Sequence, residues 1–293
     1  MSSFGGQSMV TPLRSVLLCP PAAAGWRSTD GSNLWRDLGF LHAPDADAAT
    51  REHQRLQEIL GSTGARVLQL EASDGLTLDA VYAHDASLMT DSGAICLRMG
   101  KASRSREPGA HFNFYQAAGI AIAGRIEPPG TVEAGDVVWL DRLTMLIGRG
   151  YRTNKAGIQQ LRELLSPHGV DVIAAPLPHG SGAGTCLHLM SIMSLLDENR
   201  VLVDLPLLAV ETVELLRERG FRLVEIEPEE RQTLACNVLS LGNASLLALE
   251  QNPRTNRRLH HLGYDVRTFP GMELGINGGG GPTCLTRPIL RSK

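Results

Sequence analysis

The sequence has few aromatic residues and no excess of charge, and each shortage excludes a class of function. Phe, Trp and Tyr make up 4% of the 293 residues, too few for the stacking surfaces that bind single-stranded nucleic acid. The formal net charge of −3 provides no electrostatic attraction to phosphates. No apolar run approaches the roughly 20 residues that span a bilayer. We therefore expect no nucleic-acid partner and no membrane association.

Cysteines are also few and irregularly spaced. The five cysteines form no CxxC pair and leave one odd residue, which argues against a disulfide framework and against a thiolate zinc site. The first 20 residues lack a basic segment followed by a long apolar run, so the sequence indicates no secretory signal. We expect a protein of a reducing compartment, cytoplasmic in location, without a bound metal.

A short phrase, glycine–apolar–x–apolar, recurs five times after helix-like stretches. The intervals between successive glycines are 55, 50, 51 and 43 residues, and the glycines are Gly64, Gly119, Gly169, Gly220 and Gly263. A period of this length is typical of a repeated supersecondary unit. A glycine at this place predicts a helix that ends in a left-handed turn before a strand begins.

Each repeat has the same predicted order of strand, loop, amphipathic helix, glycine and second strand. The third repeat is the clearest, with helical spacing of apolar residues over 155–165 and a strand over 170–174. The repeat predicts one catalytic domain over residues 1–293. Within it we expect a loose N-terminus over 1–14 and a candidate lid loop over 21–45.

The most specific local motif is a run of four glycines followed by Pro-Thr-Cys284. Such a run forms neither a helix nor a strand interior, and it lets another group approach the backbone closely. A cysteine with polar, backbone-rich neighbours has the surroundings of a reactive thiolate. Taken alone, Cys284 is more often a packed small residue, and His188, in an alternating stretch after a flexible turn, is more often a structural histidine.

Several carboxylates accompany these two residues. Glu133 and Asp136 lie three apart before an apolar strand, and Asp85 and Asp91 flank a strand-like segment. Alone, each pair reads as solvated turn residues. Together, the four sites bring a thiol, a base and several acids from different repeats. Acids would repel a developing oxyanion, whereas they match a planar guanidinium cation bidentately.

These motifs in combination resemble the guanidine-modifying enzymes of the pentein superfamily over residues 15–290. They are Asp85-x5-Asp91, Glu133-Ala-Gly-Asp136, Arg152-Thr-Asn154, His188-Leu-Met-Ser191 and the glycine run that ends at Cys284. The resemblance implies an α/β fold, a five-bladed pseudo-symmetric α/β-propeller built from ββαβ-type repeats.

The resemblance also implies a role for each candidate residue. Cys284 would be the nucleophile, His188 the general acid and base, and Glu133 the carboxylate that holds the imidazole and the guanidinium. The implied substrate-binding residues are Asp91 for the guanidinium, Asp85 for an α-ammonium group, and Arg98 and Arg152 for a carboxylate.

The second residue after His188 is Met190, where deiminases and amidinotransferases typically carry an aspartate. This departure favours a dimethylarginine dimethylaminohydrolase-like enzyme, which hydrolyses a guanidinium C–N bond of a (methylated) arginine-type substrate through a covalent thiouronium. The expected products are a citrulline-type ureido compound and an amine, and the expected cofactor is none. An amidinotransferase, an arginine-deiminase-like enzyme and a non-catalytic binding protein of the same fold remain alternatives, and a homodimer is left open.

Overall fold

A computed structural model describes residues 3–27 and 34–292 and shows an α/β architecture. Its strands are β1 (Leu13–Leu18), β2 (Arg66–Gln69), β3 (Ser87–Thr90), β4 (Gly93–Cys96), β5 (Ile122–Arg125), β6 (Val137–Asp141), β7 (Thr144–Arg149), β8 (Asp171–Pro176), β9 (Met193–Leu195), β10 (Arg200–Val203), β11 (Arg222–Glu225), β12 (Leu239–Gly242), β13 (Ser245–Leu249), β14 (Asp265–Phe269) and β15 (Arg287–Arg291). Its helices are α1 (Leu34–Leu38), α2 (Ala46–Ser62), α3 (Glu107–Ala117), α4 (Lys155–Leu165), α5 (Leu189–Ile192), α6 (Val210–Glu218) and α7 (Pro253–His261).

The strands form five three-stranded sheets with one common design. Their orders are β15-β1-β2, β3-β4-β5, β6-β7-β8, β9-β10-β11 and β12-β13-β14. In every sheet the middle strand is antiparallel to the first and parallel to the third. A helix joins the two parallel strands, as a parallel connection requires. The ββαβ repeat is therefore confirmed, and the first sheet takes its antiparallel strand from the far end of the chain.

The five repeat glycines end helices as predicted. Their φ angles lie between 66° and 95°, the left-handed region that glycine adopts without strain. The predicted helix over 155–165 is also confirmed. Asn154 caps it by accepting a hydrogen bond from Gly157 N at 2.8 Å, and its apolar face, with Ile158 and Leu161, is buried.

The core lies between the sheets and their helices because the middle strands are apolar along most of their length. In β7 the consecutive residues Met145, Leu146 and Ile147 are fully buried, and β13 repeats this pattern. A strand that is buried on both faces reads as a continuous apolar run rather than an alternating one. Among the described residues, none of the helices combines the length and apolar character needed to cross a bilayer.

Two predicted segments lie outside the repeats: the first needs correction, and the lid role of the second stays a prediction. The N-terminal segment is fixed rather than loose: Gly5 N donates to Ile289 O, and Arg291 N donates to Gly5 O, both at 2.9 Å. The candidate lid contains the short helix α1, and Leu41 N donates to Asn277 O at 2.9 Å. Residues 28–33 of that loop lie outside the described residues.

The buried middle strands give a direct test of the fold. Leu146 is fully buried in β7, whereas Leu143, in the preceding turn, is 56% exposed. We expect Leu146→Ala to lower the free energy of unfolding by about 2–5 kcal/mol, because it removes buried methyl groups and leaves a cavity. Leu143→Ala is the control and should change this free energy by at most about 0.5 kcal/mol. Equal costs in urea unfolding would contradict the placement of β7.

Candidate active site

One polar residue precedes the antiparallel strand of each sheet. These residues, in the order of β3, β6, β9, β12 and β15, are Asp85, Glu133, His188, Asn237 and Cys284. Each lies two to five residues before the first residue of its strand. Contacts among these residues and their neighbours bring them into one cluster.

The imidazole of His188 lies between two carboxylates. Its Nε2 is 2.8 Å from Glu133 Oε2, and its Nδ1 is 3.9 Å from Asp85 Oδ1. The backbone of Gly135 passes beside this pair, and a Cβ there would lie 2.4 Å from His188 Nδ1. Only glycine fits at that position, which explains its place in the Glu133-Ala-Gly-Asp136 motif.

Glu133 is held as a carboxylate by donors on both oxygens. Its Oε1 accepts hydrogen bonds from the backbone N–H groups of Gly100 and Lys101, each at 2.9 Å. Its Oε2 lies 3.2 Å from Arg152 Nη1. Burial opposes ionisation, but the hydrogen bond and charge of His188, followed by two arginines, hold the pKa of Glu133 well below its usual range.

Asp85 belongs to a fully buried charge network. Its Oδ2 lies 2.6 Å from Arg104 Nη1, and its Oδ1 accepts a hydrogen bond from Gly135 N at 2.9 Å. Arg104 also forms a bidentate pair with Glu107, at 2.8 and 2.7 Å. Burial raises the pKa of Glu107 to about 7. Against the same burial, Arg104 and then His188 lower the pKa of Asp85, so this carboxylate stays ionised.

Cys284 is oriented by Asn237. The side-chain amide Nδ2 of Asn237 donates to Cys284 Sγ at 3.0 Å, and its Oδ1 accepts a hydrogen bond from Thr283 N at 3.0 Å. Burial, followed by the charge of Asp85, raises the pKa of the Cys284 thiol to about 12, although His188 and Asn237 oppose this. The thiol is therefore neutral near pH 7 in the free protein.

The glycine run before Cys284 allows the close approach that its sequence predicts. A Cβ on Gly280 would lie 2.4 Å from the ring of Tyr82 and 3.1 Å from Cys284 Cβ, and one on Gly278 would lie 2.1 Å from Tyr82 Oη. The tyrosine side chain thus packs directly on the bare backbone that leads to Cys284.

The acidic groups around His188 favour its protonated form. Burial opposes the charge, but Cys186, Asp85 and Asp136 raise the pKa of His188 well above its usual value. Cys186 is exposed, and its Sγ lies 3.5 Å from His188 Nδ1. The sequence analysis did not assign a role to this second thiol, although the motif around His188 contains it.

Asp91 is not part of the cluster, which corrects its predicted role. Asp91 follows β3 at the end opposite Asp85 and forms an ion pair with Arg142. Its backbone N–H donates to the side chain of Gln7. Four strand residues separate the two aspartates, so only one of them reaches the imidazole. That residue is Asp85, for which contact with an α-ammonium group was expected.

The two predicted carboxylate-binding arginines differ in position. Arg152 is buried, and its guanidinium contacts Glu133. Arg98 is exposed and donates to Gly130 O at 3.2 Å. Arg98 lies two residues before Gly100, whose backbone N–H donates a hydrogen bond to Glu133. Contact of either arginine with a substrate carboxylate stays a prediction.

Met190 does not line the cluster. It is 2% exposed and packs in an apolar cluster with Leu146 and Met193. An aspartate in place of Met190 would therefore enter a hydrophobic core in this conformation. The absence of an aspartate at position 190 therefore does not open room around a guanidinium, contrary to the prediction from the sequence.

Sequence reasoning missed Arg104, Glu107 and Asn237. Asn237 could have been found from its position, because it precedes the antiparallel strand of its unit as Asp85, Glu133 and His188 do. Arg104 and Glu107 carry an i,i+3 charge spacing, but this spacing is common on exposed helices. Only burial distinguishes this pair from a surface pair.

The cluster is built to receive a cation. Oxygen and nitrogen donors of Asp85, Glu133 and His188 lie within 4.8 Å of one another, a spacing that would also suit a metal ion. Once Glu107 is ionised, the carboxylates of Asp85, Glu133 and Glu107 outnumber the guanidinium groups of Arg104 and Arg152 by one, and Asp136 adds a further acid beside His188. A planar cation placed here would lie beside both a thiol and an acid.

Comparisons with known proteins agree with this geometry. The family model described as arginine deiminase matches residues 78–217 and 205–291. An N(G),N(G)-dimethylarginine dimethylaminohydrolase from Streptomyces coelicolor is 30% identical over 247 residues, covering 83% of this chain and 86% of that protein. An uncharacterised Bacillus subtilis protein, YkgA, is 27% identical over 245 residues, covering 84% of this chain and 81% of that protein.

Among solved structures, a Pseudomonas aeruginosa dimethylarginine dimethylaminohydrolase in complex with citrulline superposes with a TM-score of 0.76 at 26% identity, over 94% of this chain and 99% of that one. An amidinotransferase of saxitoxin biosynthesis from Microseira wollei gives a TM-score of 0.81 at 16% identity, over 99% and 98% of the two chains, and so shares the fold. With its family match, its relatives and its converging thiol, imidazole and carboxylates, the chain belongs to the arginine deiminase family within the guanidine-modifying (pentein) superfamily.

Proposed function

We propose that the protein is a cysteine hydrolase of a guanidinium C–N bond. The observation that carries this proposal is the convergence of Cys284, His188, Glu133 and Asp85 from four different sheets. The family match and the relatives named as dimethylarginine dimethylaminohydrolases support the same class of reaction.

The substrate guanidinium would be held by Asp85 and Glu133. Both carboxylates keep their charge when buried, and a guanidinium offers parallel N–H groups that carboxylates accept bidentately. In this position the cation would balance part of the negative charge that protonated His188 balances in the free protein. Its positive charge would also lower the pKa of the nearby Cys284 thiol.

In the first half-reaction the Cys284 thiol, its pKa lowered by the bound cation, would lose its proton to solvent, and the thiolate Sγ would form a bond to the guanidinium carbon. The tetrahedral adduct would then break a C–N bond, and His188 would donate its proton to the departing amine, because an amine leaves far better when protonated. Asn237, which donates to Sγ at 3.0 Å, would keep the sulfur directed toward the carbon.

In the second half-reaction, neutral His188 would remove a proton from water. The water oxygen would attack the S-alkylthiouronium carbon, the C–S bond would break, and a ureido product would leave. Glu133 would hold the imidazole through the Nε2 contact in both steps. Every step uses residues of this chain and water.

We further propose a (methylated) arginine-type substrate with a citrulline-type product, on the basis of the relatives from Streptomyces coelicolor and Pseudomonas aeruginosa. We also propose that the five sheets close into one catalytic propeller over the chain. The C-terminal β15 completes the sheet of the N-terminal β1, as closure of a ring requires. A closed ring would fix the five equivalent loops around one axis.

The nucleophile is tested by substitution. We expect Cys284→Ser to lower turnover of a guanidino substrate by at least ~10⁴-fold, because the attacking sulfur is lost while the binding carboxylates remain. Substrate binding, measured by calorimetry, should be retained. Cys19→Ala, which removes a buried thiol outside the cluster, is the control. Wild-type turnover in Cys284→Ser would contradict the assignment. The panel of substrates should include arginine, methylarginines and an acceptor amine, so that transfer is distinguished from hydrolysis.

The two aspartates form a matched pair of variants. We expect Asp85→Asn to reduce kcat/KM by ~10²-fold or more, because losing one partner of a buried ion pair costs about 3–5 kcal/mol. Asp91→Asn, in the exposed pair with Arg142, should change kcat/KM by less than about twofold. Thermal melting of both variants separates loss of folding from loss of activity. The reverse order of effects would restore Asp91 as the substrate ligand.

The raised pKa of Cys284 predicts a slow reaction of the free thiol at neutral pH. A pKa above its usual value means that the thiolate fraction grows roughly tenfold per pH unit until that pKa is reached. In a Cys186→Ser background, which removes the exposed thiol, iodoacetamide should alkylate Cys284 at a rate that rises with this slope between about pH 6 and pH 9. A rate already constant from about pH 6 would indicate a preformed thiolate and contradict the account.

A further inference from the structure

A second polar cluster lies in the interior next to the catalytic residues. Arg287 is the first residue of β15, three positions after Cys284, and it is 6% exposed. Its Nη1 donates to Ser87 O at 2.5 Å, and its Nη2 lies 3.2 Å from the His84 ring. Among the described residues, no carboxylate forms an ion pair with it. The carboxylate whose field acts on Arg287, that of Asp85, is already paired with Arg104.

Three buried polar atoms of Arg287 and of the residues near it have no hydrogen-bond partner among the described residues. They are Arg287 Nε, Trp139 Nε1 and Thr283 Oγ1, and all three are shielded from solvent. Two of them are obligate donors, and the hydroxyl can donate as well. A buried donor without a partner costs the full desolvation of that group. Three such atoms on residues that line one cavity favour a bound acceptor.

These three residues line the same cavity. It is largely enclosed, measures about 20 Å³, and has Arg291, a second buried arginine, in its wall. Arg291 donates to Thr11 O and Ser240 O, which are neutral acceptors. Burial lowers the pKa of Arg287 to about 10 and that of Arg291 to about 9, as expected for cations with no anion beside them.

We propose that this cavity binds a monoatomic anion of the halide class, for which chloride is the physiological candidate. Its donors would be Arg287 Nε, Trp139 Nε1 and Thr283 Oγ1, and its charge would balance the two arginines. The space suits one small ion or about one to two waters, and excludes phosphate and sulfate. A water needs acceptors as well as donors, whereas three unpartnered donors on the residues of one cavity and uncompensated positive charge fit an anion better.

The anion site would stabilise the catalytic cluster through residues adjacent to it in the chain. Thr283 directly precedes the nucleophile Cys284, and His84 directly precedes Asp85. His84 N donates to Cys284 O at 3.0 Å, so the two segments are joined at this level. An anion bound at Arg287 would therefore hold in place the two segments that carry Asp85 and Cys284. This inference does not depend on the identity of the substrate.

Thermal melting of the full chain in different salts at constant ionic strength tests the proposal. An ion that binds only the folded state raises Tm with saturation. We expect chloride and bromide to raise Tm relative to gluconate, by roughly 2–3 °C when the halide concentration is tenfold above Kd. Equal Tm values in chloride and gluconate would overturn the proposal and assign the cavity to water.

Substitutions then locate the site. Trp139→Phe keeps the ring and removes one donor, and Thr283→Val keeps the shape and removes the hydroxyl. Each should raise the halide Kd about tenfold, because a hydrogen bond to a charged group is lost. Trp35→Phe in α1 is the control and should keep the wild-type response. An unchanged halide response in both cavity variants would overturn the assignment of these donors.

A crystal grown in bromide gives a readout that does not depend on stability. We expect an anomalous peak within hydrogen-bonding distance of Arg287 Nε and Trp139 Nε1 in the wild type, and a weaker peak in Trp139→Phe. Absence of bromide from this cavity in a crystal that holds bromide elsewhere would overturn the proposal, whatever the melting curves show.

Discussion

The structure depends on keeping two carboxylates ionised in a buried site. Asp85 and Glu133 both lie out of contact with bulk solvent, where an unpaired charge would be lost to protonation. Arg104 balances the first, and His188 with Arg152 balances the second. The cost of burying these charges is offset only if the partners stay in place. That requirement explains why so many donors converge on so few acceptors.

The repeated unit makes such convergence available. In each sheet the loop before the antiparallel strand delivers one side chain, and the helix on the other connection packs outside. A different residue type occupies the equivalent position in each unit, so one geometry supplies an acid, a base, an amide and a thiol. The same arrangement places the buried arginines Arg287 and Arg291 next to this cluster. His84 and Thr283 line the cavity beside these arginines, and they directly precede Asp85 and Cys284 in the chain.

Features encoded by local periodicity could be predicted from the sequence. The repeat glycines, the ββαβ order and the helix α4 follow from backbone conformation and apolar spacing, which act over a few residues. The grouping of Cys284, His188 and Glu133 was also predicted, through motifs read together with the family resemblance. The structure brings them together with a fourth residue that had been given another role.

Features decided by three-dimensional packing could not be predicted in this way. The sequence pattern does not distinguish Asp85 from Asp91, which are six residues apart. They lie at opposite ends of β3, and only Asp85 lies beside His188. Met190 lies in the core because α5 turns it away from His188, which residue spacing alone does not show. The N-terminal segment carries little periodicity, yet it pairs with β15 because the ends of the chain meet in one sheet.

Mass spectrometry of the enzyme quenched during turnover of a guanidino substrate tests the central claim most directly. The account predicts a covalent thiouronium adduct on the peptide that contains Cys284, with the mass of the substrate minus its leaving amine. It also predicts that no adduct forms when His188 is replaced by Ala, because His188 protonates the departing amine. Turnover without any adduct, or an adduct carried by Cys186 in place of Cys284, would contradict it.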